Sequence, residues 1–600
     1  MFEEGRSAYG SWGRKGAYWR YTRTSPFCVD GVACTHKFTA TKKKKETKLM
    51  KDIFTYKSLR LSYERVLKSS TGDVRNSFGE SLYKIKLKEN LEDLSKRLQE
   101  GKYTPSRPFK YYEPKQIGTQ RVKTVLSIED SIVYQAISNH IAEKVYDELE
   151  KTSKNVFGNI LHENVKKGVT LLDEFNPDYK FFKNYVPLFN EFVNSVNKQI
   201  EGENLKFKLD TDITGFFDSI PHSSLAFILQ ERKVDNSIIE LLLICLNMWS
   251  GTRNSPTFQV GIPQGPIASF FVANLLLHNL DTKMIRENFS YYRYTDDMKI
   301  YANDKTELEG ALVIIDSFLK DHSLSINSKK TLIEIVSEDK EKERKKSLKN
   351  QSLKEIVLTE DEKALIENEY FEEYENHKEY FELNVEPDEA LKIIKRRIDE
   401  IENDIYHRFY EYIKNGYFEI DNVESFEDDL LDAAYIWRAY VRLLFEYDKE
   451  ISLNKKLVPI WIAGLNTLYW RANHFCWNLN KYKLGNNYRS IISKIKTAYK
   501  RFEWVEYQTN ILFINNLNIY QEDCKKIVDR IKIEDSPLIR LSLYKILLTH
   551  LKEADELWSM TRDLIKNDKE PYIRYTLSDW ILYFKRGDLS VSLIKSWFSV

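Results

Sequence analysis

Two adjacent carboxylates stand between two β-type runs in YYRYTDDMKIY, residues 291–301. A Thr-Asp-Asp turn between aromatic and aliphatic runs predicts a tight β-hairpin, with Asp296 and Asp297 at its tip. Like charges at a hairpin tip repel each other, and a bound cation would offset that repulsion. The stretch therefore predicts an antiparallel sheet with a cation site at one edge.

A second acidic strand precedes this hairpin in FKLDTDI, residues 207–213. Strand alternation places Asp210 and Asp212 on the face opposite Leu209 and Ile213. Two acids on one face are costly unless a cation lies close to them. Asp212 is therefore a candidate metal ligand, whereas structural hydrogen bonding is the expectation for Asp210, and also for Asp218 further along the chain.

Carboxylates on two neighbouring strands are suited to phosphoryl transfer by two divalent ions. One ion lowers the pKa of an attacking hydroxyl and the other neutralises the leaving pyrophosphate, and both need shared hard oxygen ligands. A single pair of acids in a turn is often no more than a turn. The functional interpretation therefore depends on the ordered set of motifs along the chain.

Two further motifs occur in order with the acids: GIPQGPIAS (residues 261–269) and LSINSKKT (residues 324–331). With 212–219 and 294–297, they resemble the motifs of reverse transcriptases in order and spacing. Pro114-Lys115, Arg121 and LSIED (residues 126–130) are similar to the fingers of bacterial, group II intron-like enzymes. The resemblance covers about residues 85–335.

The resemblance implies a catalytic site built from Asp212, Asp296 and Asp297, which would hold two Mg²⁺ ions, with Mn²⁺ as the alternative. Phe217 would be the steric gate that excludes a ribose 2′-hydroxyl. Lys330 is the expected proton donor to pyrophosphate, with Lys329 as a substitute. The other implied nucleotide-binding residues are Lys115 and Arg121, which would grip the triphosphate, and Gln264 and Gly265, which would border the incoming nucleotide.

A basic strip lies in the expected fingers. Residues 96–123 contain eight Lys or Arg and two Glu, interleaved with aromatic residues. Basic and aromatic side chains together favour a groove that follows a nucleic-acid backbone, although they could also be ordinary surface charges. Arg107, Lys110 and Lys123 are the predicted nucleic-acid contacts. His222, which follows Pro221, is expected at the surface.

The predicted fold is an α+β right-hand polymerase, with fingers and an antiparallel palm sheet, followed by an all-α C-terminal domain. PLIR (residues 537–540) recurs as PYIR (571–574), which either marks stacked helical repeats or is coincidence. Deleting residues 400–600 is expected to disturb assembly or regulation more than nucleotide chemistry. The predicted boundaries are a disordered or non-native arm at 1–49, fingers with a helical insertion at 50–204, palm at 205–335, a charged linker or thumb at 336–400 and the helical domain at 401–600.

Composition limits the surroundings of the protein more than its chemistry. The 600 residues carry a net charge of +1, so nucleic-acid binding would depend on local basic surfaces. Five scattered cysteines do not suggest a disulfide framework, and no apolar run is long enough for a membrane span. We expect a cytoplasmic protein without a membrane partner.

The expected function is RNA-directed DNA synthesis. A palm followed by a long helical domain without a nuclease motif resembles bacterial defence-associated and abortive-infection reverse transcriptases, which implies anti-phage defence. The partners would be dNTPs, a DNA product and an RNA template such as a dedicated noncoding RNA, unless synthesis is untemplated, and a second copy or a partner defence protein. The alternatives are a retron or intron-type enzyme, a catalytically silent RNA-binding scaffold and an RNA-dependent RNA polymerase, which the bulky Phe217 disfavours.

Overall fold

A computed structural model of the chain describes residues 49–68, 77–115, 118–175, 177–201, 205–255, 257–336, 387–414, 423–448, 452–482, 502–516, 521–551 and 556–585. The predicted arm at 1–49 lies outside these ranges except for its last residue, and most of the predicted linker at 336–400 lies outside them as well. The expectations for those two segments therefore stay predictions.

The first part combines helices with one antiparallel hairpin. The helices are α1 (Tyr56–Lys68), α2 (Ser77–Ile85), α3 (Leu87–Gln99), α4 (Ile128–Leu149), α5 (Asn164–Lys167) and α6 (Tyr185–Glu201). The hairpin pairs β1 (Phe109–Pro114) with β2 (Gln120–Val125). The Ser127 side chain accepts a hydrogen bond from the Asp130 amide and thereby caps the start of α4, so the chain turns directly from β2 into a long buried helix.

The palm is a four-stranded sheet in the order β4-β5-β3-β6. Its strands are β3 (Phe207–Thr211), β4 (Ser290–Tyr294), β5 (Asp297–Ala302) and β6 (Leu332–Ile335), and each neighbouring pair is antiparallel. Its helices are α7 (Phe216–Ser219), α8 (His222–Glu231), α9 (Asn236–Trp249), α10 (Ile267–Arg286) and α11 (Lys305–Asp321). The alternation predicted for β3 is confirmed, because Leu209, Thr211 and Ile213 are buried.

The described residues of the C-terminal part form helices joined by short connections, without a strand. It comprises α12 (Pro387–Lys414), α13 (Val423–Tyr447), α14 (Val458–Thr467), α15 (Ala472–Asn480), α16 (Glu503–Asn516), α17 (Gln521–Ile533), α18 (Pro537–His550), α19 (Glu556–Lys566) and α20 (Pro571–Lys585). Together with the palm sheet, these helices confirm the predicted architecture, an α+β part with an antiparallel sheet followed by a helical region.

The two Pro-x-Ile-Arg segments occupy matching places. Pro537 begins α18 and Pro571 begins α20. Arg540 donates to the carbonyl of Glu534, and Arg574 donates to the carbonyl of Asp568, so each arginine bonds the carbonyl six residues before it. The same local contact at the same offset supports a repeated helical hairpin over coincidence.

The hydrophobic core of the helical region extends into the fingers. Leu82 of α2 and the β1 residues Phe109 and Tyr111 belong to the same cluster of buried side chains as α12–α20. The ring of Phe109 stacks on that of Tyr572, with ring centroids 4.7 Å apart. The described part of the chain contains no helix that is both long enough and apolar enough to cross a membrane.

Candidate active site

The end of β3 and the β4–β5 turn bring the three predicted acids to one edge of the palm sheet. Thr211 pairs with Met298, and Tyr294 pairs with Asp297, so the residue after Thr211 and the turn lie at the same end of the sheet. Asp210, one residue earlier, forms ion pairs with Lys208 (2.7 Å) and Lys299 (3.2 Å). Those pairs fit the predicted structural role of Asp210.

The charges at this edge act on one another. Burial raises the pKa of the half-buried Asp296 carboxyl, and the neighbouring Asp212 carboxylate raises it further. The Lys330 ammonium lies 2.9 Å from an Asp212 carboxylate oxygen. Its pKa is raised by that hydrogen bond first, and then by the charges of Asp212, Asp296 and Asp297. Lys330 therefore lies within the field of all three acids.

The carboxylate oxygens at this edge are suitable ligands for divalent ions. Carboxylate oxygens on two adjacent strands are the hard ligands that Mg²⁺ prefers, and the repulsion between Asp212 and Asp296 favours a cation between them. Among the residues that the structure describes, no group of three or more Asp, Glu, His or Cys side chains is arranged to hold an ion. Lys330 instead neutralises Asp212, so ion binding requires the ammonium to leave that carboxylate.

Lys115 and Arg121, the predicted triphosphate-binding residues, lie on the β1–β2 hairpin. Burial lowers the pKa of Lys115, and the Arg121 cation lowers it further, while the carboxylates of Asp218 and Asp212 act in the opposite direction. Lys115 and Arg121 are both exposed at the turn end of the β1–β2 hairpin. The structure thus brings Lys115 into the field of Asp212, with the Arg121 cation close enough to act on Lys115.

The Pro-Gln-Gly loop joins the palm to the fingers. The Thr124 amide of β2 donates to the Gln264 carbonyl at 2.8 Å. Gly265 has a φ of +135°, and a Cβ at this position would lie 2.6 Å from the Thr124 carbonyl oxygen. Only glycine permits this approach, so Gly265 sets the distance between the loop and the hairpin.

Phe217 lies on α7, directly after Asp212 and its turn. Its ring is half-buried and meets the rings of Phe216 and Phe270 edge to face, at centroid distances of 5.9 and 5.3 Å. The Phe217 carbonyl accepts a hydrogen bond from the Ile262 amide at 2.8 Å. These contacts fix Phe217 against α10 and the start of the Pro-Gln-Gly loop.

The predicted nucleic-acid contacts differ in their surroundings. Arg107 is exposed and donates to the Arg253 carbonyl, and Lys123 pairs with Glu113 at 3.4 Å. Lys110 is only 6% exposed, and its ammonium donates to the carbonyls of Trp249 and Gly251. Burial lowers its pKa to about 8. We therefore assign Lys110 a structural contact between fingers and palm instead of a nucleic-acid contact.

The expectation that His222 lies at the surface is wrong. His222 is 2% exposed, and its Nε2 lies 2.7 Å from the Gly261 carbonyl oxygen. The ring therefore holds the start of the Pro-Gln-Gly loop against α8. Proline at the preceding position indicated a helix start, but it carried no information about which face of that helix would be covered.

The part of the chain that contains this site is similar to known proteins. Residues 113–354 match the reverse transcriptase family (RNA-dependent DNA polymerase). The chain is also 37% identical, over 86 residues, to an uncharacterized 91 kDa protein in the cob intron of Schizosaccharomyces pombe. That alignment covers 14% of this chain and 11% of the relative, so the chain spans a small part of the length of that curated protein.

Solved telomerases show a distant likeness. A Candida albicans telomerase in complex with a fragment of telomeric RNA is 11% identical, with 70% of this chain and 67% of that chain covered and a TM-score of 0.30. An apo telomerase from Candida tropicalis is 12% identical, with 68% and 69% covered and a TM-score of 0.31.

The region that matches the reverse transcriptase family contains a buried network that was not predicted from the sequence. Arg293 is 1% exposed and forms a two-pronged ion pair with Asp281 of α10, at 2.7 and 2.6 Å. Its remaining nitrogen donates to Asn274 at 2.8 Å and to the Thr295 carbonyl at 2.5 Å. Thr295 has a left-handed backbone with φ +56°. The guanidinium therefore supports the strained residue that immediately precedes Asp296.

A signal for this network was present in the sequence. Alternation places Arg293 and Tyr291 on one face of β4, and Asp281 is the single acid of the mainly apolar helix 267–286. A buried cation and a buried acid are stable only as partners. Their pairing could have been proposed from those two positions.

Replacement of Arg293 by Lys tests the support of the turn. Lysine keeps the buried charge but lacks the planar fork, so the Thr295 carbonyl loses its donor. We expect kcat for DNA synthesis to fall about 10²-fold because the acids are misplaced. Arg286→Lys, at the exposed end of α10, is the control and should leave kcat unchanged. Wild-type kcat in Arg293→Lys would refute the assignment.

Proposed function

We propose that the protein is an RNA-directed DNA polymerase that adds deoxynucleotides at the edge formed by Asp212, Asp296 and Asp297. The observation that carries this proposal is the convergence of these acids with Lys330, whose ammonium lies 2.9 Å from Asp212, at an edge whose field reaches Lys115. The family match of residues 113–354 supports it. RNA template, DNA product and dNTPs are the corresponding partners.

The proposed mechanism gives each side chain one task. Asp212, Asp296 and Asp297 would hold two Mg²⁺ ions, or Mn²⁺, which would activate the primer hydroxyl and neutralise the leaving pyrophosphate. Lys115 and Arg121 bind the triphosphate by charge-assisted hydrogen bonds. Lys330, whose proton is held by the surrounding acids, donates it to pyrophosphate. Gln264 and Gly265 border the nucleotide, and Arg107 and Lys123 contact nucleic acid.

The test uses the purified full chain with an RNA template, a DNA primer, dNTPs and Mg²⁺. Primer extension that stops on chelation of the metal is the expected result. RNA that co-purifies with the chain is sequenced in parallel. Bound RNA without extension by any nucleotide, with Mg²⁺ or Mn²⁺, would instead identify a silent RNA-binding scaffold.

We place this activity in bacterial anti-phage defence, alone or with a second copy or a partner defence protein. The long helical region after the palm, with matching hairpins at α17–α18 and α19–α20, supports this placement by analogy. Phage plating efficiency on cells that carry the wild type or Asp296→Asn tests it. Equal plating on both would refute a defence role that depends on synthesis.

A second candidate function is that of an intron-type or retron enzyme. The identity with a protein in the Schizosaccharomyces pombe cob intron favours it. Sequencing of the co-purified RNA discriminates between the two candidates. A transcript of the intron that surrounds the gene supports the second candidate, and a separate noncoding RNA supports the first.

Replacement of Phe217 by Ala tests the choice of sugar. Removing the ring opens space beside Asp212 for a 2′-hydroxyl. We expect the ratio of ribonucleotide to deoxyribonucleotide kcat/KM to rise about 10–100-fold. Phe227→Ala, on the exposed face of α8, should leave that ratio unchanged. An unchanged ratio in Phe217→Ala would refute the gate and reopen RNA synthesis as an activity.

A further inference from the structure

The outer edge of β1 is covered by a pair of charged side chains. Among the described strands, β1 pairs with β2 alone, and the Tyr112 amide and the Lys110 carbonyl point away from the hairpin. The Glu503 carboxylate accepts a hydrogen bond from the Tyr112 amide at 2.9 Å. Arg253 donates a hydrogen bond to the Lys110 carbonyl at 3.1 Å. An acid and a guanidinium thus complete the backbone hydrogen bonds that a neighbouring strand would otherwise supply.

These two side chains also bond each other. A guanidinium nitrogen of Arg253 lies 2.5 Å from Glu503 Oε1, and both side chains are largely buried, at 17% and 10% exposure. Arg253 also lies over the ring of Tyr112, 5.0 Å from its centroid. Burial makes such a pair sensitive to the loss of either partner, because the remaining charge would be uncompensated.

Glu503 belongs to the helical region, and Arg253 belongs to the palm. Glu503 is the first residue of α16. Its Oε2 accepts a hydrogen bond from the Ser536 hydroxyl at 2.5 Å. Ser536 in turn caps α18. The carboxylate therefore ties two helices of the C-terminal region to the hairpin that carries Lys115 and Arg121.

The hairpin is also held from the palm side. Lys110 donates to the carbonyls of Trp249 and Gly251, at 2.6 and 2.7 Å. The Thr124 amide donates to the Gln264 carbonyl. With Glu503 on the outer edge, β1 is fixed by both the palm and the helical region, so the hairpin cannot hinge without breaking buried hydrogen bonds.

We propose that Glu503 is a positioning residue for nucleotide binding, which acts through Arg253 and the Tyr112 amide to hold the β1–β2 hairpin over the acidic edge. The C-terminal region thereby fixes the positions of Lys115 and Arg121 before a nucleotide binds. Pre-organised cations lose less freedom when they bind, so the nucleotide binds more tightly. The kinetic part of this inference rests on the proposed polymerase function.

The test compares Glu503→Gln with Glu506→Gln in the full chain. Glu506 lies in the same helix, is also buried, and pairs with Arg530 of α17 instead of with the hairpin. In primer extension with a homopolymeric RNA template, Glu503→Gln should raise the KM for dNTP about tenfold with kcat within about twofold. The inhibition constant of pyrophosphate should rise in parallel. Glu506→Gln should leave all three quantities unchanged.

Amide hydrogen exchange provides a second readout that needs no polymerase activity. Residues 109–125 should exchange about tenfold faster in Glu503→Gln than in the wild type, and at the wild-type rate in Glu506→Gln. Unchanged exchange in Glu503→Gln overturns the inference, as does an equal KM in both variants. A wild type without polymerase activity overturns the proposed function, and the exchange rates then decide the positioning role of Glu503 alone.

Discussion

Replacement of Asp296 by Asn is expected to reduce DNA synthesis by about 10³-fold or more, because the metal site loses one charged ligand. Asparagine retains the shape of the side chain and can still accept the Thr295 hydroxyl, which lies 3.0 Å from Asp296 Oδ1. The turn supported by Arg293 should therefore persist. Single-turnover primer extension at saturating dNTP measures the effect.

The same substitution should not destabilise the metal-free protein. Burial and the Asp212 carboxylate raise the pKa of Asp296 above its unfolded value, so the ionised form is disfavoured in the folded state at neutral pH. A neutral amide removes that penalty, and Tm without divalent ions should be equal to or higher than in the wild type. Asp316→Asn, in an exposed pair with Lys320 on α11, is the control for both measurements. Wild-type extension by Asp296→Asn would refute the site.

Removal of residues 387–600 is expected to abolish activity by exposing the fingers core. Leu82, Phe109 and Tyr111 are buried in a cluster that consists mostly of C-terminal side chains. Each large apolar side chain contributes about 1.5–3 kcal/mol when buried, and the stability of a whole domain is only about 5–15 kcal/mol. Loss of these contacts, and of the Glu503 partner of Arg253, should leave an aggregating or inactive fragment. Solubility and primer extension of the fragment measure the effect.

This expectation replaces the one drawn from sequence, in which deletion of the helical region spares nucleotide chemistry. A milder pair of variants separates folding from the contact itself. Tyr572→Ala removes the ring that stacks on Phe109 and should lower Tm, whereas Tyr575→Ala, at a position that is 70% exposed on the same helix, should not. A soluble fragment with wild-type kcat would show that the shared core is dispensable.

The palm could be predicted from sequence because its signals are local. Alternation in 207–213 and the Thr-Asp-Asp turn determine which side chains face inward, and the structure follows both. Asp210 likewise finds its partners on its own and the adjacent strand. Short-range geometry was sufficient in these cases.

The errors arose where a distant part of the chain covers a surface. Lys110 lies in a basic strip, but β1 is packed by the palm on one side and by helices beyond residue 500 on the other. His222 is covered by the loop at Gly261. No pattern within either segment indicates which distant segment will bury it, so burial of a single polar residue cannot be read from its neighbours alone.

The ion pair between Lys330 and Asp212 has a practical consequence for handling the protein. Because Lys330 supplies a counter-charge to Asp212 at the acidic edge, the apoprotein should remain folded through chelator treatment and storage. Divalent ions can then be titrated into an intact starting state. Each ion that takes the carboxylate displaces the lysine ammonium, so the apparent affinity for divalent ions should be higher at a pH above the raised pKa of Lys330, where the amine is neutral and no ion pair has to be broken.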